Sequence, residues 1–136
     1  MISANAFDGV LVNADSFAYR DLTQQDKWNE FTPTFTGLTV VGATTYKGRF
    51  RFVGKQCHFQ VSLVAATSIA STAGTTYLTL PVNANAGSLT GIATMTNATT
   101  NIAVGSCHIS VSNSRCYLPT QSASGNTFTI AGSYEI

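Results

Sequence analysis

Two dipeptides place the classic ligand types of metal and thiol chemistry side by side: Cys57-His58 and Cys107-His108, with Cys116 as the third cysteine of the chain. Cysteine and histidine hold structural zinc, and a cysteine activated by a histidine is a nucleophile. The spacing argues against both. Neighbouring residues on an extended strand point to opposite faces, so each Cys-His pair is divided between the two sides of its own strand. A zinc site from Cys57, Cys107, Cys116 and one histidine needs the fold to converge all four, and a nucleophile needs a poised thiolate and an orienting third group that no motif supplies. Parity gives a simpler reading. Cys57 shares a face with Phe59 and Val61, and Cys107 shares one with Ile109 and Val111, so these cysteines read as small core residues and the histidines as exposed polar positions.

Carboxylates constrain the chemistry further. From Phe31 to Tyr134 there is no acidic side chain at all, whereas Asp8, Asp15, Asp21, Asp26 and Glu30 all precede Phe31 and only Glu135 follows. Glycoside hydrolysis in its usual form requires two carboxyl groups flanking the bond, which this body lacks. The expectation is a protein that is not an enzyme and carries no cofactor and no metal. With a net charge of +1 and no apolar run of bilayer-spanning length, neither a nucleic-acid partner nor membrane insertion is expected, and the N-terminus lacks the basic start and continuous apolar run of a signal peptide.

The elements that must carry these residues are strands. Residues 46 to 63 form two runs of strict alternation around Gly54-Lys55. Tyr46, Gly48, Phe50 and Phe52 fall on one face and Lys47, Arg49 and Arg51 on the other; beyond the turn, Cys57, Phe59, Val61 and Leu63 oppose His58, Gln60 and Ser62. This predicts an antiparallel hairpin with one dry face. Further strands are expected at residues 38 to 45, at Tyr77-Leu78-Thr79-Leu80 before Pro81, at 89 to 95, 102 to 111, 115 to 118 and 127 to 136, while residues 60 to 70 read as one continuous arm. Phe128, Ile130, Gly132, Tyr134 and Ile136 share a face of the last strand. Seven or eight short strands at such spacing predict an all-β antiparallel sandwich or jelly roll over residues 31 to 136.

The first 30 residues form an arm of different character, apolar enough to be ordered, with a short helix signal from Ser16 to Lys27. Two roles are open for it: anchoring the domain on another protein, or completing the sandwich. Its acidity against the basic hairpin predicts contacts of Asp21, Asp26 or Glu30 with Lys47, Arg49, Arg51 or Lys55 of the same or an adjacent subunit. A basic surface that meets an external anionic partner is the other reading.

Trp28-Asn29-Glu30-Phe31-Thr32-Pro33-Thr34-Phe35-Thr36-Gly37, followed by the Tyr46 to Lys55 hairpin and the Leu80-Pro81 strand end, resembles the small β-sandwich modules of tailed-bacteriophage virions. Such modules form distal domains of tail fibres and decoration or head-fibre proteins of capsids, and are usually homotrimers. The resemblance implies synthesis in the host cytoplasm, where reducing conditions favour free thiols over a Cys107–Cys116 bridge, and a final place on the virion among other tail or capsid proteins. It implies host attachment, with a surface glycan or protein held by a site for which Tyr77, Tyr117 and His108 are the candidates; capsid decoration, which needs no ligand pocket, is the alternative. A charged content of 10%, against a usual share of about 25%, agrees with surface buried between subunits.

Overall fold

The computed structural model describes residues 27–136, and these are all-β. In chain order the strands are β1 (Asn29–Phe31), β2 (Phe35–Thr36), β3 (Thr39–Val41), β4 (Thr45–Val53), β5 (Gln56–Val64), β6 (Ser68–Ser71), β7 (Tyr77–Thr79), β8 (Ile92–Asn97), β9 (Ile102–Ser110), β10 (Arg115–Tyr117), β11 (Gln121–Ser124) and β12 (Thr127–Glu135). Nine of them form one curled sheet in the order β1-β4-β5-β12-β8-β9-β10-β7-β2, and β11-β6-β3 form a small second sheet. Every pairing is antiparallel. The result is a β-sandwich whose two layers are largely the two arms of one curled sheet.

The β4–β5 hairpin has the register its alternation predicts, from Thr45 opposite Val64 to Val53 opposite Gln56. Gly54 opens the two-residue turn at φ 61°, the conformation a glycine reaches without a Cβ penalty and the one a II′ hairpin turn needs at its first position. The dry face is as expected: Cys57, Phe59, Val61 and Leu63 are buried, Phe50 and Phe52 pack against them half-buried, and Arg49 and Gln60 are exposed on the reverse.

The curl is made at β9. Met95 pairs with Gly105 but Thr96 pairs with Ala103, so one extra residue is inserted in β9 at Val104. A bulge of this kind bends its strand and increases its twist. Consequently the first part of β9 pairs with β8, and its last residues, His108 to Ser110, pair with β10. This turns Ile109, Cys116, Leu78 and Leu118 inward to face Phe59, Met95, Phe128 and Ile130 in a single core. Tyr134 joins that core but keeps its hydroxyl satisfied: it donates to the Val82 carbonyl at 2.7 Å and accepts from the Val82 amide at 3.2 Å. Gly132 stands opposite Phe59, and a Cβ there would press on the Ile92 carbonyl and on Ala93, so close strand packing requires glycine at this position.

Several sequence expectations need correction. Residues 60 to 70 are not one arm: β5 stops at Val64, and Ser68 to Ser71 switch to the small sheet, because the Ala66-Thr67 turn is fixed to Val41 by the Thr67 amide. The strand expected at 89 to 95 begins only at Ile92, after Gly91, whose Cβ position is filled by Ile109, Tyr134 and the Ser133 carbonyl. Strand number rises from seven or eight to twelve because β6 is separate from β5, and β1, β2 and β11 are too short to show alternation. β1 begins at Asn29, so the sheet starts inside the segment read as an arm. The helix signal from Ser16 lies outside the described residues apart from Lys27.

Candidate functional site

Register determines which side chains meet on the outer surface. Thr36 pairs with Tyr77, Tyr77 with Tyr117, and Tyr117 with His108, so these residues form one line across β2, β7, β10 and β9. The next outward line is Thr79, Arg115 and Ser110. Between the two, the inward line of Phe35, Leu78, Cys116 and Ile109 is seated in the core. Leu78 and Cys116 have no exposed surface, which holds the strands that carry the outward rings.

The three residues expected to bind a partner, Tyr77, Tyr117 and His108, are therefore brought together. The tyrosine rings lie 5.3 Å apart at 54°, and the His108 ring lies 6.3 Å from Tyr117 at 31°. Arg115 completes the group. Its guanidinium carbon is 4.2 Å from the Tyr77 ring centre, and one of its terminal nitrogens donates to the Tyr117 hydroxyl at 3.3 Å. That hydrogen bond is the main reason its pKa lies above the ordinary arginine value; desolvation opposes the rise, and charge interactions with Tyr77 and Tyr117 add to it. The sequence reading missed Arg115 as a site residue, although its spacing of two from Tyr117 puts both on one face of any strand.

Beside this row is an open cavity of ≈ 600 Å³ lined by Ala73, Gly74, Ser106, His108, Tyr117, Leu118, Pro119 and Thr120. Its volume is within the usual range of small-ligand sites, about 300 to 1,000 Å³. Thr76 supports its rim. Fully buried, it accepts from the Thr72 amide and donates to the Gly37 carbonyl, each at 2.9 Å. The Ala73 amide donates to the Thr120 hydroxyl and the Leu118 amide to the Thr76 carbonyl, so the two walls are tied to each other.

A second cavity, of ≈ 850 Å³, lies over the β1–β4–β5–β12 face and is lined in part by Glu30, Lys47, Arg49, Gln60, Ser62 and Thr129. Here the predicted basic residues sit on one outer surface, except Lys55, which is in the hairpin turn. Glu30 is opposite Arg49 in the ladder. Arg49, however, donates to the Gln60 side-chain oxygen at 2.9 Å and lies 4.3 Å from the Trp28 ring centre, with Arg51 at 5.0 Å from the same ring. Trp28 is thus the contact that the charge pattern did not reveal. Among the described residues Glu30 makes no ion pair with Lys47, Arg49 or Lys55. Asp21 and Asp26 lie outside the described residues.

The cysteines are three free, buried thiols. Cys116 is opposite Ile109, so Cys107 is its diagonal neighbour and not its direct cross-strand partner, which disfavours a bridge. The Cys107 and Cys116 thiols act on each other, an interaction that lowers the pKa of Cys107 and, together with burial, raises that of Cys116. Burial raises Cys57, against a smaller opposing effect of its hydrogen bond with Tyr134. Among the described residues no group of three or more His, Cys, Asp or Glu gathers as a metal site, and no helix is long and apolar enough to cross a membrane. His58 and His108 fall on outer faces, away from the thiols on the inner ones.

No protein-family model, curated protein or solved structure matches the chain.

Proposed function

We propose that the chain is a virion-surface module of the tailed-phage type that acts in host attachment, holding a surface glycan across Tyr77, Tyr117 and His108. The observation that carries this reading is the alignment of those three rings, from three different strands, in one register line beside an open cavity. A sugar presents C–H faces and hydroxyls together. Aromatic rings with a polar edge suit the former, and the neighbouring hydroxyls of Thr36, Thr79, Ser110 and Thr120 suit the latter. The rings are carried on strands seated in the core, so little ordering is needed on binding.

The same reading includes self-association as a homotrimer. The chain has few charges with which to coat a monomer, and Leu89 and Ile92 are 97% and 70% exposed. Light scattering of the purified chain should give three times the 14.3 kDa subunit mass, and a monodisperse monomer would remove this part of the proposal.

Attachment is tested by measuring adsorption of the labelled chain to cells that the parent phage infects. Tyr117→Ala should weaken adsorption by at least about tenfold, the loss expected for a tyrosine anchor at the centre of a contact. Unchanged adsorption would refute the site, and binding to isolated capsids without binding to cells would replace attachment with shell decoration.

A further inference from the structure

Arg115 is the one charged side chain between Lys55 and Glu135, and it stands in the aromatic group. Resting on the glycan reading above, we propose that the site selects an anionic sugar, with the ring against Tyr117 and the acidic group on the Arg115 guanidinium.

An isolated arginine on a strand surface is ordinarily long, mobile and solvated. The Arg115 head group has two contacts, the Tyr77 ring beneath its central carbon and the Tyr117 hydroxyl at one terminal nitrogen. Stacking of this kind fixes the plane of the guanidinium and leaves most of its donors to an incoming acceptor. Among the described residues its one side-chain hydrogen bond goes to a neutral hydroxyl, and no acidic side chain occurs from Phe31 to Tyr134 to compete for it. A carboxylate or phosphate brought by the ligand would meet a planar, preoriented fork, the geometry in which arginine makes its strongest hydrogen bonds.

The spacing fits one sugar residue. Arg115 and Tyr117 are two positions apart on one strand face, a separation of about 7 Å between backbone positions. Inclination of the guanidinium toward the Tyr117 hydroxyl shortens the distance between stacking surface and cation further. A pyranose that stacks on the ring therefore reaches the cation with an exocyclic acidic group. A neutral sugar leaves that donor set to water.

The test is a titration of the full-length chain with matched sugars: glucose, glucuronic acid, sialic acid and glucose 6-phosphate, with acetate and inorganic phosphate as anions lacking a ring. An acidic sugar should bind about tenfold or more tightly than glucose at low salt, reflecting a charge-assisted contact. The preference should fall as salt rises from about 0.01 to about 1 M, over which the screening length drops from about 30 to about 3 Å. Arg115→Met, which keeps an apolar stem on Tyr77, should reduce acidic sugars to the level of glucose, whereas Tyr117→Ala should weaken neutral and acidic sugars alike. The relative affinities of glucuronic acid and glucose 6-phosphate identify which anion is preferred. Equal binding of glucose and the acidic sugars would overturn the inference and leave the glycan site standing. Acetate or phosphate binding as tightly as the acidic sugars would also overturn it, because the ring would then contribute nothing. Failure of every sugar to bind would overturn the glycan reading itself and this inference with it.

Discussion

The two outer faces of the sandwich use cations in opposite ways. On the β4–β5 face Arg49 and Arg51 converge on Trp28, and Arg49 also satisfies Gln60, so the charge is consumed in holding an element of the same chain. On the β7–β10–β9 face a single Arg115 is fixed by two tyrosines, and its bonding within the described residues ends at the Tyr117 hydroxyl. The larger cavity lies over the first face and the smaller over the second. The comparison teaches that neither volume nor the number of basic residues sets the proposed binding surface apart. What distinguishes the second face is a set of rings in register with hydrogen-bonding capacity left over.

The largest effect is expected from the core that both faces share. Phe59 is buried beneath the first face, in contact with Tyr134 and opposite Gly132. Phe59→Ala should destabilise the fold by about 3 to 5 kcal/mol, the cost of deleting a buried aromatic ring. Melting indistinguishable from the parent would show that the inner face is misassigned.

A smaller effect should come from Thr76, which supports the second face alone. Thr76→Val keeps the shape but removes the partner of the Thr72 amide and of the Gly37 carbonyl, two part-buried hydrogen bonds each worth about 0.5 to 1.5 kcal/mol. Thr76 reaches the proposed ligand site only through its neighbours, Tyr77 in the chain and the Leu118 amide bonded to its carbonyl, so reduced sugar affinity with the first face unchanged would mark it as a positioning residue. Unaltered stability would contradict the role given to its hydroxyl.

The core beneath both faces makes stability sensitive to alkali. Burial raises Cys57 and Tyr134, and the interaction with Cys107, together with burial, raises Cys116. The folded chain retains protons that the unfolded chain releases, so these groups contribute fully below the unfolded values, about 8.5 for a thiol and about 10 for a tyrosine. Their contribution is lost as pH rises through that window toward the folded values. Cys107, lowered by its interaction with Cys116, opposes the trend but is outnumbered. Denaturant titrations should therefore show stability decreasing above about pH 8.5, the unfolded thiol range, and a rise with pH there would contradict this account.

The smallest expected effect is on the first face. Trp28→Ala removes two exposed cation–π contacts, each worth about 0.5 to 1 kcal/mol. It should alter stability modestly and leave sugar binding unchanged. A large loss of sugar affinity would move the site from the second face to the first.

The difference between the faces also explains what could be read from the residues in advance. The long strands were legible because nine residues of alternation in β4, β5 and β12 outweigh local ambiguity. Short β1, β2 and β11 carry too few residues to alternate, and they are placed by partners far along the chain: β1 by β4, where Phe31 packs over Gly48, β2 by β7, with Phe35 against Tyr46 of β4, and β11 by β6. The aromatic row was visible as residue types, Tyr77, Tyr117 and His108, but its alignment depends on the β9 bulge that passes the strand from β8 to β10. No local pattern records that exchange. Arg115 could have been placed by parity with Tyr117, whereas its stacking on Tyr77 required the β7–β10 register.

Chemical-shift mapping of the isotopically labelled chain during addition of an acidic sugar tests the central distinction most directly. The account predicts perturbations at Tyr77, His108, Arg115 and Tyr117, with Lys47, Arg49 and Arg51 unmoved. Perturbations centred on Lys47, Arg49 and Arg51 instead, or none at either face, would contradict it.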